Sequence, residues 1–230
     1  MLVPGTQIQR WKVVRHVGGQ RNGSLYVVEH AGRNSVLKWM AGPEASPLAE
    51  SPEVLAAREV LCLQRLQGPG FVHLEAHGRW PETAHGVPFL ILQPIPGMHL
   101  PRWANVRGAT APETALLMAE IARRVADMHD RNVRYPSLCS RDFWMRNGAL
   151  PAVLIDLGGA TPLSRPLTGV EIAEDVHAIG AMFYDLLTGQ SPGPDSPPPH
   201  LINPHVPELL SYAIMSALST SAPRFNELML

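Results

Sequence analysis

Hydrophobic and polar residues alternate along the first third of the chain, and this pattern predicts a β-sheet. Strands are predicted at residues 11–14, 25–29, 35–40, 71–77 and 87–92, with Gly- and Asn-containing turns between several of them. One helix is predicted in the same region, at residues 51–66. It begins with Ser51-Pro52-Glu53, a typical helix start, and presents a mostly apolar face.

Beyond residue 96 the apolar residues recur with the period of a helix. Helices are predicted at residues 112–130, 174–188 and 208–218, and Gly189 is expected to end the second of them. Proline-rich connectors fall at residues 93–97 and 190–207. The change of period predicts an α+β fold, with a mainly β unit at residues 1–96 and a mainly helical unit at residues 97–230.

Composition excludes several classes of function. The 230 residues carry a net charge of −1, so no basic field favours nucleic acid. The sequence contains no 18-residue apolar run and no apolar core followed by a cleavage site at its start, which predicts neither a membrane span nor a signal peptide. We therefore expect a cytoplasmic protein in which Cys62 and Cys139 are free thiols.

Candidate chemistry lies in two places. An apolar run at residues 152–155 leads into Asp156-Leu157-Gly158, which presents a carboxylate on a turn as metal and phosphate sites do. A polar loop at residues 135–142 precedes it. In the first unit, Lys38 interrupts an apolar strand, so it either reaches the strand edge or meets a carboxylate. Glu59 is the candidate carboxylate; the alternative is that Glu59 is solvated.

In this order, the features resemble the eukaryotic-type protein kinases. The resemblance runs from about residue 7 to residue 230, is similar to the bacterial Ser/Thr kinases, and is most typical of those of myxobacteria at residues 5–14. It implies a bilobal kinase-like fold in which an antiparallel β lobe with one helix is followed by a helical lobe. It also implies ATP and Mg²⁺ as ligands.

Several positions in the first unit match the family's nucleotide-binding motifs. Gly18, Gln20 and Gly23 occupy the glycine-loop positions, with the middle glycine replaced. Lys38 matches the lysine that would hold the α- and β-phosphates, and Glu59 matches its helical partner.

The connector and the second unit supply the remaining matches. Leu92 falls at the gatekeeper, and the hinge from Gln93 to Ile95 would meet adenine with its backbone. Asp156 matches the family's Mg²⁺-binding aspartate, and Asp175 matches the buried aspartate that anchors the catalytic loop. Arg224 matches a late structural arginine.

The catalytic loop departs from the family pattern, and two alignments compete. Without a gap, Tyr135-Pro136-Ser137 replaces His-Arg-Asp, so Ser137 takes the position of the general base. Cys139 then replaces the loop lysine, Asp142 replaces the metal-binding asparagine, and residues 143–145 form the following strand. We favour this alignment because Phe-Trp-Met suits a buried strand.

The second alignment takes Ser140-Arg141-Asp142 as His-Arg-Asp. Asp142 is then the base and Asn147 a metal ligand, but an insertion before the loop is needed and Trp144 falls at the lysine position.

These alignments lead to two hypotheses. The first is a pseudokinase, a regulatory module with a protein partner and without phosphoryl transfer, which keeps or has lost ATP and Mg²⁺. The second is an active, divergent kinase that phosphorylates a protein or a small hydroxylated molecule. The segment between Asp156 and Asp175 is short, lacks Ala-Pro-Glu and has Thr161, Ser164 and Thr168 as its only hydroxyl groups, which weakens a claim of protein substrate or phosphorylation control.

Overall fold

The structure, a computed structural model, describes residues 1–20, 23–41, 50–107, 110–146 and 152–219. It divides into two units, Met1–Ile95 and Pro96–Leu230, and each is described by itself. The predicted division lies near residue 96; that the two units act together as one domain stays a prediction. The α+β class is confirmed, because the first unit is mainly β and the second mainly helical.

The first unit is a six-stranded antiparallel sheet with one helix. Its elements are β1 (Gln7–Ile8), β2 (Trp11–Gln20), β3 (Gly23–His30), β4 (Arg33–Trp39), α1 (Pro52–Arg65), β5 (Leu74–Trp80) and β6 (Val87–Leu92). The strand order is β1-β2-β3-β4-β6-β5. Alternate side chains of these strands point inward, as the sequence pattern predicts, and Trp11, Tyr26 and Phe89 lie among the buried residues of one core cluster.

The strand predictions are wrong in two details. β2 continues to Gln20, so Gly18 and Gly19 pair with β3 as strand residues instead of forming a turn. β5 is Leu74–Trp80, three residues later than predicted. Phe71 is buried but lies just before β5 begins. Its apolar side chain therefore packs in the core although the residue is not part of the strand.

The second unit contains five helices and three short strand pairings among its described residues. Its elements are β7 (Gly97–His99), α2 (Leu100–Arg107), α3 (Ala111–Asp130), β8 (Val133–Arg134), a 3₁₀ helix (Ser140–Asp142), β9 (Phe143–Arg146), β10 (Ala152–Leu154), β11 (Thr161–Pro162), α4 (Gly169–Thr188), α5 (Pro199–Ile202) and α6 (Glu208–Leu218). β9 lies between β10 and β7, and β11 pairs with β8.

The helix boundaries follow from local capping. α3 begins where predicted to within one residue, because Thr110 and Glu113 form a reciprocal capping box. α4 begins at Gly169, five residues before the predicted start, with Thr168 and Glu171 forming a second capping box. Gly189 ends α4 in the left-handed conformation with φ +70°, which confirms the predicted stop. The sequence did not predict α2.

The helices are too polar or too short to span a membrane. Among the described residues, none has the run of apolar side chains that crossing a lipid bilayer requires.

Candidate functional site

Lys38 and Glu59 form a buried ion pair in the first unit. Lys38 Nζ donates to both Glu59 carboxylate oxygens at 2.8 Å, and both side chains are about 1% exposed. β4 carries the lysine and α1 carries the glutamate. The predicted pairing is confirmed, and the alternative of a solvated Glu59 is wrong.

The position of Glu59 follows from how α1 folds. Ser51 accepts a hydrogen bond from the Val54 N–H and fixes the helix start, with proline in the first turn. From that start, Glu59 falls on the buried side of the helix together with Ala56, Val60 and Leu63. An apolar helix face therefore carries the carboxylate to the lysine.

The glycine positions have different structural reasons. Gly23 pairs with Gln20 at the start of β3, where an added Cβ would lie 2.1 Å from the Trp39 carbonyl oxygen. Only glycine fits this close approach of two backbones. Gly18 pairs with Leu25, and an added Cβ there would meet nothing within 4 Å. Packing does not explain Gly18, so a ligand role for it stays a prediction.

The connector after β6 begins at a buried residue. Leu92 is 5% exposed, and the N–H of Gln93 donates to the His73 carbonyl at 2.9 Å. That amide is therefore occupied within the unit. Gln93 is exposed and Ile95 is half-buried. Contact of this backbone with adenine stays a prediction.

Asp175 anchors the loop after α3. This α4 residue is fully buried, and its Oδ2 accepts the Tyr135 N–H at 2.9 Å and lies 2.9 Å from His129 Nε2. Its Oδ1 has no hydrogen-bond partner among the described residues. The residue after Tyr135 is Pro136, which has no N–H to donate. Asp175 is thus a buried anchor, as predicted, that holds the loop through one backbone donor.

Ser137 lies in the turn that follows this anchor. The Leu138 N–H donates to the Tyr135 carbonyl at 3.1 Å, and Ser137 is exposed. The stretch from residue 131 to residue 141 contains no Asp or Glu. The first carboxylate after α3 is therefore that of Asp142.

Asp142 is fixed at the start of β9. Its Oδ2 accepts the Cys139 N–H at 2.8 Å, its own N–H donates to the Cys139 carbonyl, and the residue is 4% exposed. Residues 143–145 lie in β9, which confirms the strand predicted for them.

Asp142 and Asp156 lie at the same end of the β9–β10 hairpin. The Ile155 N–H donates to the Asp142 carbonyl at 2.8 Å, and Asp156 follows directly. Asp156 Oδ1 accepts the Gly158 N–H at 2.9 Å, which fixes the turn. Asp156 is 6% exposed.

Binding of a cation by Asp142 and Asp156 stays a prediction. Within the parts of the chain that the structure describes, no three His, Cys, Asp or Glu side chains form a metal-binding group. Mg²⁺ needs fewer protein ligands, because it is usually held by one or two carboxylates together with phosphate oxygens and waters. Asp142 and Asp156 would supply those carboxylates. Asn147 and Arg224, named in the sequence predictions, lie outside the described residues.

Sequence reasoning missed a charged cluster at the start of α4. Arg165 donates to both oxygens of Glu171 at 2.8 and 2.9 Å, and Arg134 donates to one of them at 3.3 Å. The hydrogen bonds from Arg165, followed by the one from the Thr168 N–H, hold the pKa of Glu171 well below its usual range. The Thr-x-x-Glu spacing of the capping box was the available signal.

We compared the chain with known proteins. No protein-family model matches it. It is 24% identical over 263 aligned residues to the DNA damage-responsive Ser/Thr protein kinase RqkA of Deinococcus radiodurans. The match covers 97% of this chain and 38% of RqkA, so the chain spans well under half of that relative.

Solved structures share its fold. The kinase domain of Mycobacterium tuberculosis PknI matches with a TM-score of 0.71 and 19% identity, covering 96% of this chain and 91% of that one. A double mutant of the PknI domain matches over 100% of both chains with a TM-score of 0.70. The chain has the protein-kinase fold. Its resemblance to the bacterial eukaryotic-type Ser/Thr kinases is confirmed; the closer likeness to myxobacterial kinases stays a prediction.

The two cysteines of this kinase-like domain are expected to be unreactive while it is folded. Burial, reinforced by the Glu59 charge, raises the pKa of Cys62 to about 12, and burial followed by the Asp142 charge raises the pKa of Cys139. At pH 8.5 the thiolate fraction of Cys62 is then roughly a thousandfold below that of an unfolded cysteine. Iodoacetamide labelling followed by mass spectrometry, with and without denaturant, measures this; rapid labelling of Cys62 in the native protein would contradict it.

Proposed function

We propose that this domain is a pseudokinase, a kinase-fold regulatory module in signalling that binds ATP and Mg²⁺, transfers no phosphoryl group efficiently and acts through a protein partner. The observation that carries the proposal is the loop after α3. Asp175 holds this loop at Tyr135, and Ser137 follows two residues later. A serine hydroxyl cannot accept a proton near neutral pH as a carboxylate does, so Ser137 cannot act as the general base.

The state of Asp142 supports this proposal. Its carboxylate accepts a backbone N–H of its own loop, and the strand begins at the next residue. A buried carboxylate bound in this way serves to orient the loop or to hold a cation. This geometry suits the position of a metal ligand at the loop end, in line with the alignment that has no gap.

Nucleotide binding is supported by the groups that remain. A buried ion pair is costly to desolvate and is often less stabilising than a pair of apolar residues of the same size. The burial of Lys38 with Glu59 therefore favours a reason beyond stability, and a lysine held in a fixed position for phosphate is such a reason. Asp142 and Asp156 would hold the Mg²⁺ that accompanies the phosphates.

The second candidate is an active divergent kinase with Asp142 as base. The shared hairpin end of Asp142 and Asp156 favours it, because a base and a metal-binding carboxylate must both lie close to the transferred phosphate. Phosphoryl transfer depends mainly on positioning and electrostatics, so a changed loop does not by itself abolish it.

Thermal unfolding with ATP and Mg²⁺ tests nucleotide binding. A ligand that binds only the folded state stabilises it by about 2.7 kcal/mol at about 100 times its Kd, which raises the midpoint by several degrees. We expect a Mg²⁺-dependent rise that is lost in Asp156→Ala, which removes the carboxylate altogether. Removing Lys38 alone would leave Glu59 buried without its partner. The Lys38→Met/Glu59→Leu variant therefore tests whether the Lys38 ammonium group contributes to ATP binding. No rise at millimolar ATP would overturn the nucleotide part of the proposal.

Asp142→Asn separates the two candidates. If Asp142 is a metal ligand, asparagine still offers an oxygen, and the nucleotide-dependent rise is retained in a protein that shows no transfer before or after the change. If Asp142 is the base, measurable transfer by the wild type falls by about 100-fold or more. A Ser137→Asp/Cys139→Lys variant adds a positive test, because a restored base and loop lysine should increase transfer only if Ser137 stands at the base position.

A further inference from the structure

Glu171 connects residues 159–168, the segment that follows the Asp156 turn, to the rest of the second unit. Its carboxylate receives five hydrogen bonds from three residues in two parts of the fold: Arg165 and Thr168 in the segment, and Arg134 on β8. The segment, β8 and the start of α4 are thus joined through one side chain, which is 9% exposed.

The acceptor capacity of this carboxylate is filled. Oε2 accepts from Arg165 Nη1 at 2.8 Å and from the Thr168 N–H and hydroxyl at 2.8 and 3.0 Å. Oε1 accepts from Arg165 Nη2 and Arg134 Nη1 at 2.9 and 3.3 Å. A carboxylate offers about four lone-pair sites, and bidentate pairing with arginine is the strongest geometry available to it.

The backbone of the segment is held as well. β11 pairs with β8, so that Thr161 lies opposite Arg134, and the Leu163 N–H donates to the Asn132 carbonyl at 2.7 Å. Arg134 directly precedes Tyr135, the residue that Asp175 anchors. The order of the segment is therefore linked to the order of the loop that carries Ser137.

We propose that the carboxylate of Glu171 takes the place of an activating phosphate and orders residues 159–168 without phosphorylation. Arg134, Arg165 and the N-terminus of the 20-residue helix α4 surround one negative charge. The Glu171 side chain supplies that charge, so no added phosphate is needed. Residues 159–168 are then ordered at all times, with no switch between an ordered and a disordered form. A phosphate on Thr168 would compete with Glu171 for the same donors and add no order. This inference concerns regulation and does not depend on nucleotide binding.

The lowered pKa of Glu171 agrees with this role. The charged groups around it are Arg165 from the segment, Arg134 from β8 and, through Arg134, Glu174 from α4. Because the folded pKa lies below the unfolded one, the carboxylate stays charged at neutral pH, and its contribution to stability is lost only as the pH falls below about 4.

Hydrogen exchange of the unphosphorylated protein, with its intact mass verified after phosphatase treatment, tests the proposal. We expect the amides of Leu163 and Thr168 to be protected in this protein. In Glu171→Gln, peptides covering residues 159–168 should exchange about tenfold faster or more, because an amide cannot accept from all of these donors. Glu174→Gln is the matched control: it removes the negative charge that pairs with Arg134 and changes no hydrogen bond of residues 159–168, so exchange in these residues should stay within about threefold of wild type.

Arg165→Gln covers the case in which Glu171→Gln fails to fold. Arg165 is half-exposed, so its loss should spare the core while it raises exchange in the same peptides. Wild-type exchange in Arg165→Gln, or protection that appears only after a phosphate is placed on Thr161, Ser164 or Thr168, would overturn the proposal.

Discussion

Replacing Glu59 with alanine lowers the free energy of unfolding by about 3–5 kcal/mol, because it removes both oxygens that accept from the buried ammonium of Lys38. Charge burial is the reason for this large effect. The Lys38 ammonium is almost completely buried and therefore pays a free-energy cost for its lost hydration. The attraction to Glu59 offsets this cost, and it disappears when the glutamate is removed. Denaturation by urea, followed by tryptophan fluorescence and circular dichroism, measures the change.

A double substitution separates charge from packing. Lys38→Met/Glu59→Leu keeps the apolar volume and removes both charges, so its unfolding free energy should lie within about 1.5 kcal/mol of wild type. Arg58→Ala is the surface control: it breaks the ion pair with half-exposed Glu50 and should cost about 1 kcal/mol or less. If Glu59→Ala cost no more than Arg58→Ala, the pair would not be buried and intact in the folded protein.

Asp175→Ala is expected to lower the unfolding free energy by about 3 kcal/mol, because it leaves the buried Tyr135 N–H without its charged acceptor. The same change removes the partner of His129 Nε2 at the end of α3. The end of α3 and the loop after it would therefore each lose one hydrogen bond to α4. Chemical denaturation gives the magnitude, and hydrogen exchange of the Tyr135 amide locates the effect.

Asp175→Asn is the matched variant for this prediction. The asparagine oxygen still accepts the Tyr135 N–H, so we expect less than half of the alanine effect and continued protection of that amide. Equal costs for the two substitutions would show that the charge itself, not the hydrogen bond to the loop, holds the structure. Pro136→Ala extends the comparison, because it supplies a second backbone N–H directly after the Tyr135 N–H that Asp175 accepts.

Part of the candidate site could be predicted from the sequence. A lysine inside an apolar strand has few stable environments, so the amino-acid pattern alone made Glu59 a candidate partner for Lys38. It left a solvated Glu59 open, and only the folded structure brings the two side chains together. Residues 143–145 could be assigned to a strand because their side chains suit burial. The bonds that fix Asp142 could not be foreseen, since they join it to a backbone amide within an irregular loop and to the end of the neighbouring strand.

The sequence by itself determined the division into a β and a helical unit, the positions of α1, α3 and α6, and the stop at Gly189, because periodicity, capping and glycine conformation act over a few neighbouring residues. Only the tertiary structure decided the start of β5 and the arginine cluster around Glu171. Strand register depends on the partner strand, and Arg134 and Glu171 lie 37 residues apart in the chain. Such contacts form when distant segments pack, and no local pattern records them.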